Sequence, residues 1–359
     1  MKLEGGEISN LGLFFLVVGF TWGSAILTSP ATQAGSDGWL VSLAGMLAGL
    51  VAAYIFTSLA GYFPGSTLTE INRQVYGPLL GGLFSIAYIF YFLLLSTLIL
   101  RTFSDFWVGF IFPATPDFIL DILFVLVCAS AVRNGIEVIT RCSVFMVPLT
   151  FLLFLFTISL SIKDIDLTNF FPIFDLPVKE FIKITHHMAV FPYGETIVFI
   201  VVLAFLNNNS KTGRIPVLGG IVFAGLSLTM LIMRNIGLLG ETLSIGVYGS
   251  YTAVRMINIG EVFTRIEIFV ALNFLAMGFV MLSVFYYAAV LSTGELLKMR
   301  TYLPLVLPMG IVLIVLNTIE FESMLERIQF SADITPWLGL FFQFFFPLVT
   351  LVLGKMKKR

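Results

Sequence analysis

Residues 188–199 read Met-Ala-Val-Phe-Pro-Tyr-Gly-Glu-Thr-Ile-Val-Phe. The stretch lies in an apolar segment long enough to cross a bilayer, yet Pro192, Gly194 and Glu195 fall within four positions of it. Pro192 removes a backbone donor and disfavours helix at Phe191. Gly194 lets the chain leave helical geometry at small cost. A carboxylate at membrane depth, as Glu195 would be, costs roughly 2.5–3.5 kcal/mol on insertion scales. Broken backbone survives in a membrane only where protein buries it or where it lines a cavity. The stretch therefore predicts a discontinuous membrane helix whose break faces a binding site. The plainer reading is a kinked packing helix with Glu195 paired to a neighbour.

Working outward, the 359 residues are 58% hydrophobic and 11% charged, with a mean hydropathy of +1.01. Such a chain is an all-α integral membrane protein rather than a soluble domain. The net charge of -1 gives no footing for a nucleic-acid partner. Cys128 and Cys142 lie in or beside apolar runs without CxxC spacing and read as small core residues. Glu4 and Glu7 precede the first apolar run and no convincing cleavage site follows. That run is expected to be a retained span.

Runs of about twenty apolar residues give about ten spans: 8–34, 40–62, 80–107, 118–132, 138–162, 184–206, 215–233, 265–291, 303–319 and 337–353. They form a single membrane domain over 1–359, divided into one set of five over 8–162 and another over 184–353. Residues 163–183 and 234–260 are the longer connections. The second is dotted with glycine and is expected to hold a short helix lying on the protein. With the N-terminus inside, twelve basic residues fall on the cytoplasmic side, among them Arg133, Arg141, Lys298, Arg300 and the terminal Lys355, Lys357, Lys358 and Arg359. Seven fall on the other side: Arg101, Lys163, Lys179, Lys183, Arg234, Arg255 and Arg327. The bias predicts both termini cytoplasmic.

The first span is interrupted too. Gly19, Thr21, Trp22, Gly23 and Ser24 precede Pro30 in an otherwise apolar run. Spans one and six begin the two halves, and paired breaks at corresponding positions point to a midplane site in inverted-repeat transporters. A break frees N–H groups that suit a carboxylate and carbonyls that suit an ammonium. Two breaks side by side match the two charged ends of a free amino acid. Glu195 is open to three roles: complementing an ammonium, holding a proton, or bracing the first break.

Tyr88 and Tyr91 share a face of the third span, where a hydroxyl can reach a carboxylate or simply pack. Asn273 on the eighth span is a site candidate or interhelical glue. Glu261 and Arg265 form an i,i+4 pair near the outer mouth. His186 and His187 are adjacent, so their side chains diverge on a helix and suit a gating or interfacial role rather than one metal. No catalytic constellation, metal set or cofactor box is present in the pattern.

The paired breaks resemble the amino acid–polyamine–organocation superfamily, with its LeuT-like five-plus-five inverted repeat and broken first and sixth helices. Within it, the chain resembles the spore-germination receptor B subunits, the spore permease family. The resemblance rests on the short acidic N-terminus, on Gly23, Leu27 and Pro30, and on Phe191-Pro192-Tyr193-Gly194-Glu195. The last is similar to the family's Pro-Phe-Gly-Glu, with Tyr193 in place of phenylalanine.

The resemblance implies a small germinant, usually an amino acid, bound near the midplane. Its expected contacts are Gly19, Thr21, Trp22, Gly23, Ser24, Tyr88, Tyr91, Phe191, Tyr193, Gly194, Glu195 and Asn273. It also implies a complex with a membrane A subunit and a C-subunit lipoprotein in the spore inner membrane. The fifth span lacks the lysine that some proton-linked superfamily members carry, and Ser283 is a loose match to a sodium site, so ion coupling stays open. An ion-coupled amino-acid transporter is the alternative function.

Overall fold

The computed structural model describes residues 4–207, 213–244, 246–257 and 265–357, and these build a helical bundle. Helix α1 (Asn10–Trp22) starts on a Ser9 cap, whose Oγ accepts from the Gly12 N–H at 3.0 Å. It ends at Gly23, and two short 3₁₀ turns (Ser24–Ile26 and Pro30–Asp37) lead into α2 (Gly38–Tyr62).

Helix α3 (Leu68–Phe110) opens with a reciprocal Thr67–Glu70 capping box and bends at Gly77–Pro78, where Gly77 has φ 82°. Helices α4 (Asp117–Arg133) and α5 (Ile136–Ser161) complete the first set. Span six is α6 (Val178–Met188), a π turn (Ala189–Tyr193), a 3₁₀ turn (Gly194–Val198) and α7 (Phe199–Leu203).

Helix α8 (Arg214–Leu239), the short α9 (Gly249–Arg255) and α10 (Glu267–Leu296) follow. Helix α11 (Leu303–Ile319) turns by 101° into α12 (Met324–Asp333). The chain then runs through α13 (Thr335–Gly339), a π turn (Leu340–Phe345) and α14 (Phe346–Lys357).

Helix α1 is the centre of the bundle, packed against α5, α8 and α10. Helix α2 packs on α6, α8 and α14, and α3 on α10. The outward faces of α4, α5 and α11 leave Leu123, Val127, Phe145, Leu152 and Ile311 exposed. Exposed aliphatic side chains on outer helices are what a bilayer covers. Among the described residues seven helical segments are long and apolar enough to cross a membrane, eight if the bent pair counts as one. Helix α1, at 13 residues, is shorter.

Each expected span falls on a helix, with displaced ends. Span six starts at Val178 because Pro177 ends the loop there. Lys179, Glu180 and Lys183 sit on an amphipathic turn that a hydropathy window cuts off. Span seven runs on to Leu239, so Arg234 is helical. The connection after it holds α9, the expected short helix. Arg265 pairs with Glu267 at 3.5 Å, whereas Glu261 lies outside the described residues.

At one end of the bundle Ile8 pairs with the far side of span six: its N–H donates to Phe205 O, and Asn207 N–H donates to Ile8 O, both at 3.0 Å. Glu4 reaches further, accepting from Ile136 N–H at 2.8 Å and from the Tyr287 hydroxyl. The N-terminal segment thus ties α5, α7 and α10 together. Burial pushes the Glu4 carboxyl above its ordinary range, against the pull of those hydrogen bonds.

Candidate ligand cavity at the paired breaks

The first break is forced by close packing. Gly23 has φ 23°, and its N–H returns to Gly19 O at 3.0 Å. A Cβ there would collide with Met281 Sδ on α10 and stand 2.8 Å from Phe20 O. Beyond it Ser24 O accepts from Leu27 and Thr28 N–H, both at 3.0 Å, and from Thr28 Oγ1 at 3.1 Å. The turn is closed by its own hydroxyls rather than by a continuing helix.

The second break follows from Pro192, which cannot donate, and from Phe191, which is extended at φ -123°, ψ 122°. The two breaks touch: Ser29 Oγ lies 3.4 Å from Met188 Sδ. Between them is a cavity of about 280 Å³. The first span lines it with Ser24, Thr28 and Ser29, and span six with His187, Phe191 and Glu195. Helix α3 adds Leu95, Ile99 and Thr102, and α12–α13 add Arg327, Ser331 and Thr335.

Glu195 is 4% exposed, and its Oε2 has no hydrogen-bond partner among the described residues. A buried carboxylate oxygen facing a cavity without a donor is a strong acceptor awaiting one. The rest of the wall combines aliphatic side chains such as Leu95, Ile99 and Ile328 with hydroxyls from the first break, α3 and α12–α13. That combination accommodates a small ligand with an apolar body and a cationic or protonated donor.

The cavity collects three of the twelve expected contacts directly: Ser24, Phe191 and Glu195. The others stand behind them. Gly19 lies against Val147 and Val280. Thr21 is fully buried, its hydroxyl unpartnered among the described residues. Trp22 turns toward α5, edge-on to Phe154 at 5.3 Å. Tyr193 stands on Gly49 of α2, and Gly194 against Gln343.

Tyr88 donates to Phe342 O at 2.8 Å. Tyr91 stacks on the Phe342 ring at 4.5 Å and accepts from Gln343 Nε2 at 2.7 Å. Both tyrosines therefore do share a face, turned to the last helix. Asn273 is buried on α10, its Oδ1 unpartnered among the described residues.

His186 and His187 diverge as expected, the first meeting Pro336 O at 3.2 Å and the second facing the cavity. Among the described residues no group of three His, Cys, Asp or Glu side chains is placed to hold a metal.

Sequence reading missed two residues at this site. Gln343 was legible as a lone amide in the run Leu-Phe-Phe-Gln-Phe-Phe-Phe. The π turn around it widens the helix and brings it to span six; π turns of this kind recur at functional sites. Arg327 was visible only as a charge on the face opposite the termini. In the fold its Nε meets Asp105 Oδ2 at 2.8 Å, and Asp105 Oδ1 meets Arg101 Nε at 3.1 Å. The Tyr248 hydroxyl lies beside this cluster, and burial holds the phenol above its usual range.

A family model described as "Spore germination protein" matches residues 7–324. The chain is 27% identical to spore germination protein KB of Bacillus subtilis, over 99% of this chain and 97% of that protein. It is 25% identical to spore germination protein YndE of the same organism, over 98% of each.

Among solved structures, Mhp1, a nucleobase-cation-symport-1 family transporter with bromovinylhydantoin bound, superposes with a TM-score of 0.67 at 13% identity. The match covers 98% of this chain and 91% of that one. MhsT in complex with L-phenylalanine gives 0.66 at 15% identity, covering 98% and 99%. Both are LeuT-fold proteins, and the likeness establishes that fold for this chain.

Proposed function

Because this chain belongs to the spore germination protein family, which is not an enzyme family, we propose that it is the germinant-binding subunit of a spore germination receptor. Its LeuT-like fold is put to sensing a small amino acid. The observation that carries this reading is the cavity walled by both interrupted spans, with Glu195 in its lining and Oε2 of that residue unpartnered among the described residues. The ligand ammonium would take Glu195. The first break would supply the polar groups around Ser24, while Gly23, Tyr193 and Gly194 hold the two breaks in shape. Occupancy then shifts the population of receptor conformations.

The two interrupted spans support a division into repeats over 8–162 and 184–353. The bias of basic residues supports cytoplasmic termini, and the family supports placement in the spore inner membrane beside an A subunit and a C-subunit lipoprotein.

A screen of purified protein against the common amino acids by thermal shift tests the reading. A ligand at 100 times its Kd adds about 2.7 kcal/mol. Glu195→Gln is expected to remove most of the response and leave the protein folded. An undiminished response in that variant, or none from any amino acid in the wild type, overturns it. The second reading is an ion-coupled amino-acid transporter, favoured by the likeness to a symporter. Gradient-driven accumulation of labelled amino acid in proteoliposomes of the isolated protein would decide for transport.

A further inference from the structure

The cavity has two charged stations, and they are far apart. Helix α3 runs along it and gives the scale. On α3, Tyr91 meets Gln343 and Asp105 meets Arg327. At 1.5 Å rise per residue, the stretch of α3 from Tyr91 to Asp105 separates the two levels by roughly 20 Å. Gln343 lies against Gly194, so Glu195 belongs to the lower level. Even with the reach of an arginine side chain allowed for, an α-amino acid cannot touch both stations. Its ammonium and carboxylate hang on one carbon.

The upper station has an open donor. Arg327 is 4% exposed and lines the cavity. Its Nε is committed to Asp105, while its Nη2 completes no hydrogen bond of ordinary geometry among the described residues. Asp105 is already shared with Arg101, so it does not saturate the Arg327 guanidinium. Buried guanidinium nitrogen is costly without an acceptor, and its planar donors suit a carboxylate. The Tyr248 hydroxyl beside it interacts with the guanidinium, and its own proton has no acceptor of regular geometry among the described residues.

We propose that the cavity mouth is a carboxylate-binding subsite separate from the Glu195 floor, in which Arg327 Nη2 takes the carboxylate of an incoming ligand. The ligand meets this station first and then moves down to Glu195. The inference rests on the cavity being the ligand site, but the two stations are testable apart.

The probes are sodium butyrate, which has no ammonium, and n-butylammonium chloride, which has no carboxylate. Each is titrated into full-length protein in nanodiscs against sodium chloride at equal ionic strength, with the unfolding midpoint as readout. Butyrate is expected to raise the midpoint of the wild type and of Glu195→Gln, but not of Arg327→Gln. Butylammonium is expected to show the reverse pattern. Arg327→Lys keeps a cation for Asp105 without a second donor nitrogen. It should stay folded and lose about tenfold or more in apparent butyrate affinity.

The subsite is overturned if butyrate has no effect on the wild type, or stabilises both Arg327 variants as it does the wild type. A missing butylammonium response in the wild type would instead overturn the floor reading and leave the mouth standing.

Discussion

Gly194 has no room for a side chain because the side-chain amide oxygen of Gln343, Oε1, occupies the place a Cβ would take. The glycine is thus a contact between spans six and ten as well as a soft point in the backbone. Its ideal Cβ would also stand 2.9 Å from Ala189 O. Gly194→Ala is expected to destabilise the protein by about 1–3 kcal/mol through overpacking and to reduce the ligand response. Adding Gln343→Ala removes the first collision and leaves the second. The double variant should therefore recover only part of the loss in a thermal-denaturation comparison.

A second glycine carries a different constraint. Gly23 combines φ 23° with contacts to Met281 Sδ and Phe20 O. Alanine there meets both backbone strain and a backbone oxygen, so the cost should be about 1–3 kcal/mol or more. Met281→Ala on the Gly23→Ala background should relieve little of it, because the Phe20 carbonyl cannot move aside without distorting α1. Full recovery in chemical denaturation would mean that the side-chain contact alone requires glycine.

Arg234 is 2% exposed and is held by neutral acceptors. Its Nε and Nη2 donate to Asn235 Oδ1 at 3.1 and 2.7 Å, and its Nη1 to Thr157 Oγ1 at 3.3 Å. Asn235 in turn donates to Ser250 Oγ at 3.0 Å, which anchors α9. Asn235→Leu leaves a buried guanidinium short of its main acceptor and should cost about 3–5 kcal/mol. Asn235→Asp keeps the acceptors and adds a counter-charge, so its midpoint should equal or exceed that of the wild type.

Glu4 sets a pH dependence at the opposite end of the bundle. Burial holds its folded carboxyl above the ordinary glutamate value, so the folded state keeps the proton to higher pH than the unfolded chain. In the window between those two values the folded state binds more protons. Its stability therefore falls as pH rises through the window and recovers as pH falls. The protonated acid has the Tyr302 hydroxyl beside it, whose own proton goes to Val132 O at 3.1 Å. Thermal midpoints of the wild type relative to Glu4→Gln are expected to improve as pH is lowered from neutrality toward the ordinary carboxylate range. A difference that is flat with pH would show that Glu4 is not the titrating group.

Much of this was written along the chain. Hydropathy alone marked ten spans, because a bilayer demands long apolar runs wherever they lie in sequence. The interruptions at Gly23 and at Pro192–Gly194 were equally visible, since proline and glycine act on their own backbone. Glu195 stood out as a carboxylate amid apolar neighbours, and the fold sets it on the cavity.

What tertiary structure decided was which side chains stand at the cavity surface and which stand one layer back. Trp22 and Glu195 carry the same kind of sequence signal, yet Trp22 turns to Phe154 and only Glu195 faces the space. Gln343 is brought to spans three and six, and Arg327 to span three, from positions more than a hundred residues away. Periodicity and local propensity describe a residue's own helix; they hold no information about which helix will pack across from it, or at what height. Those choices arise from the joint packing of the whole bundle.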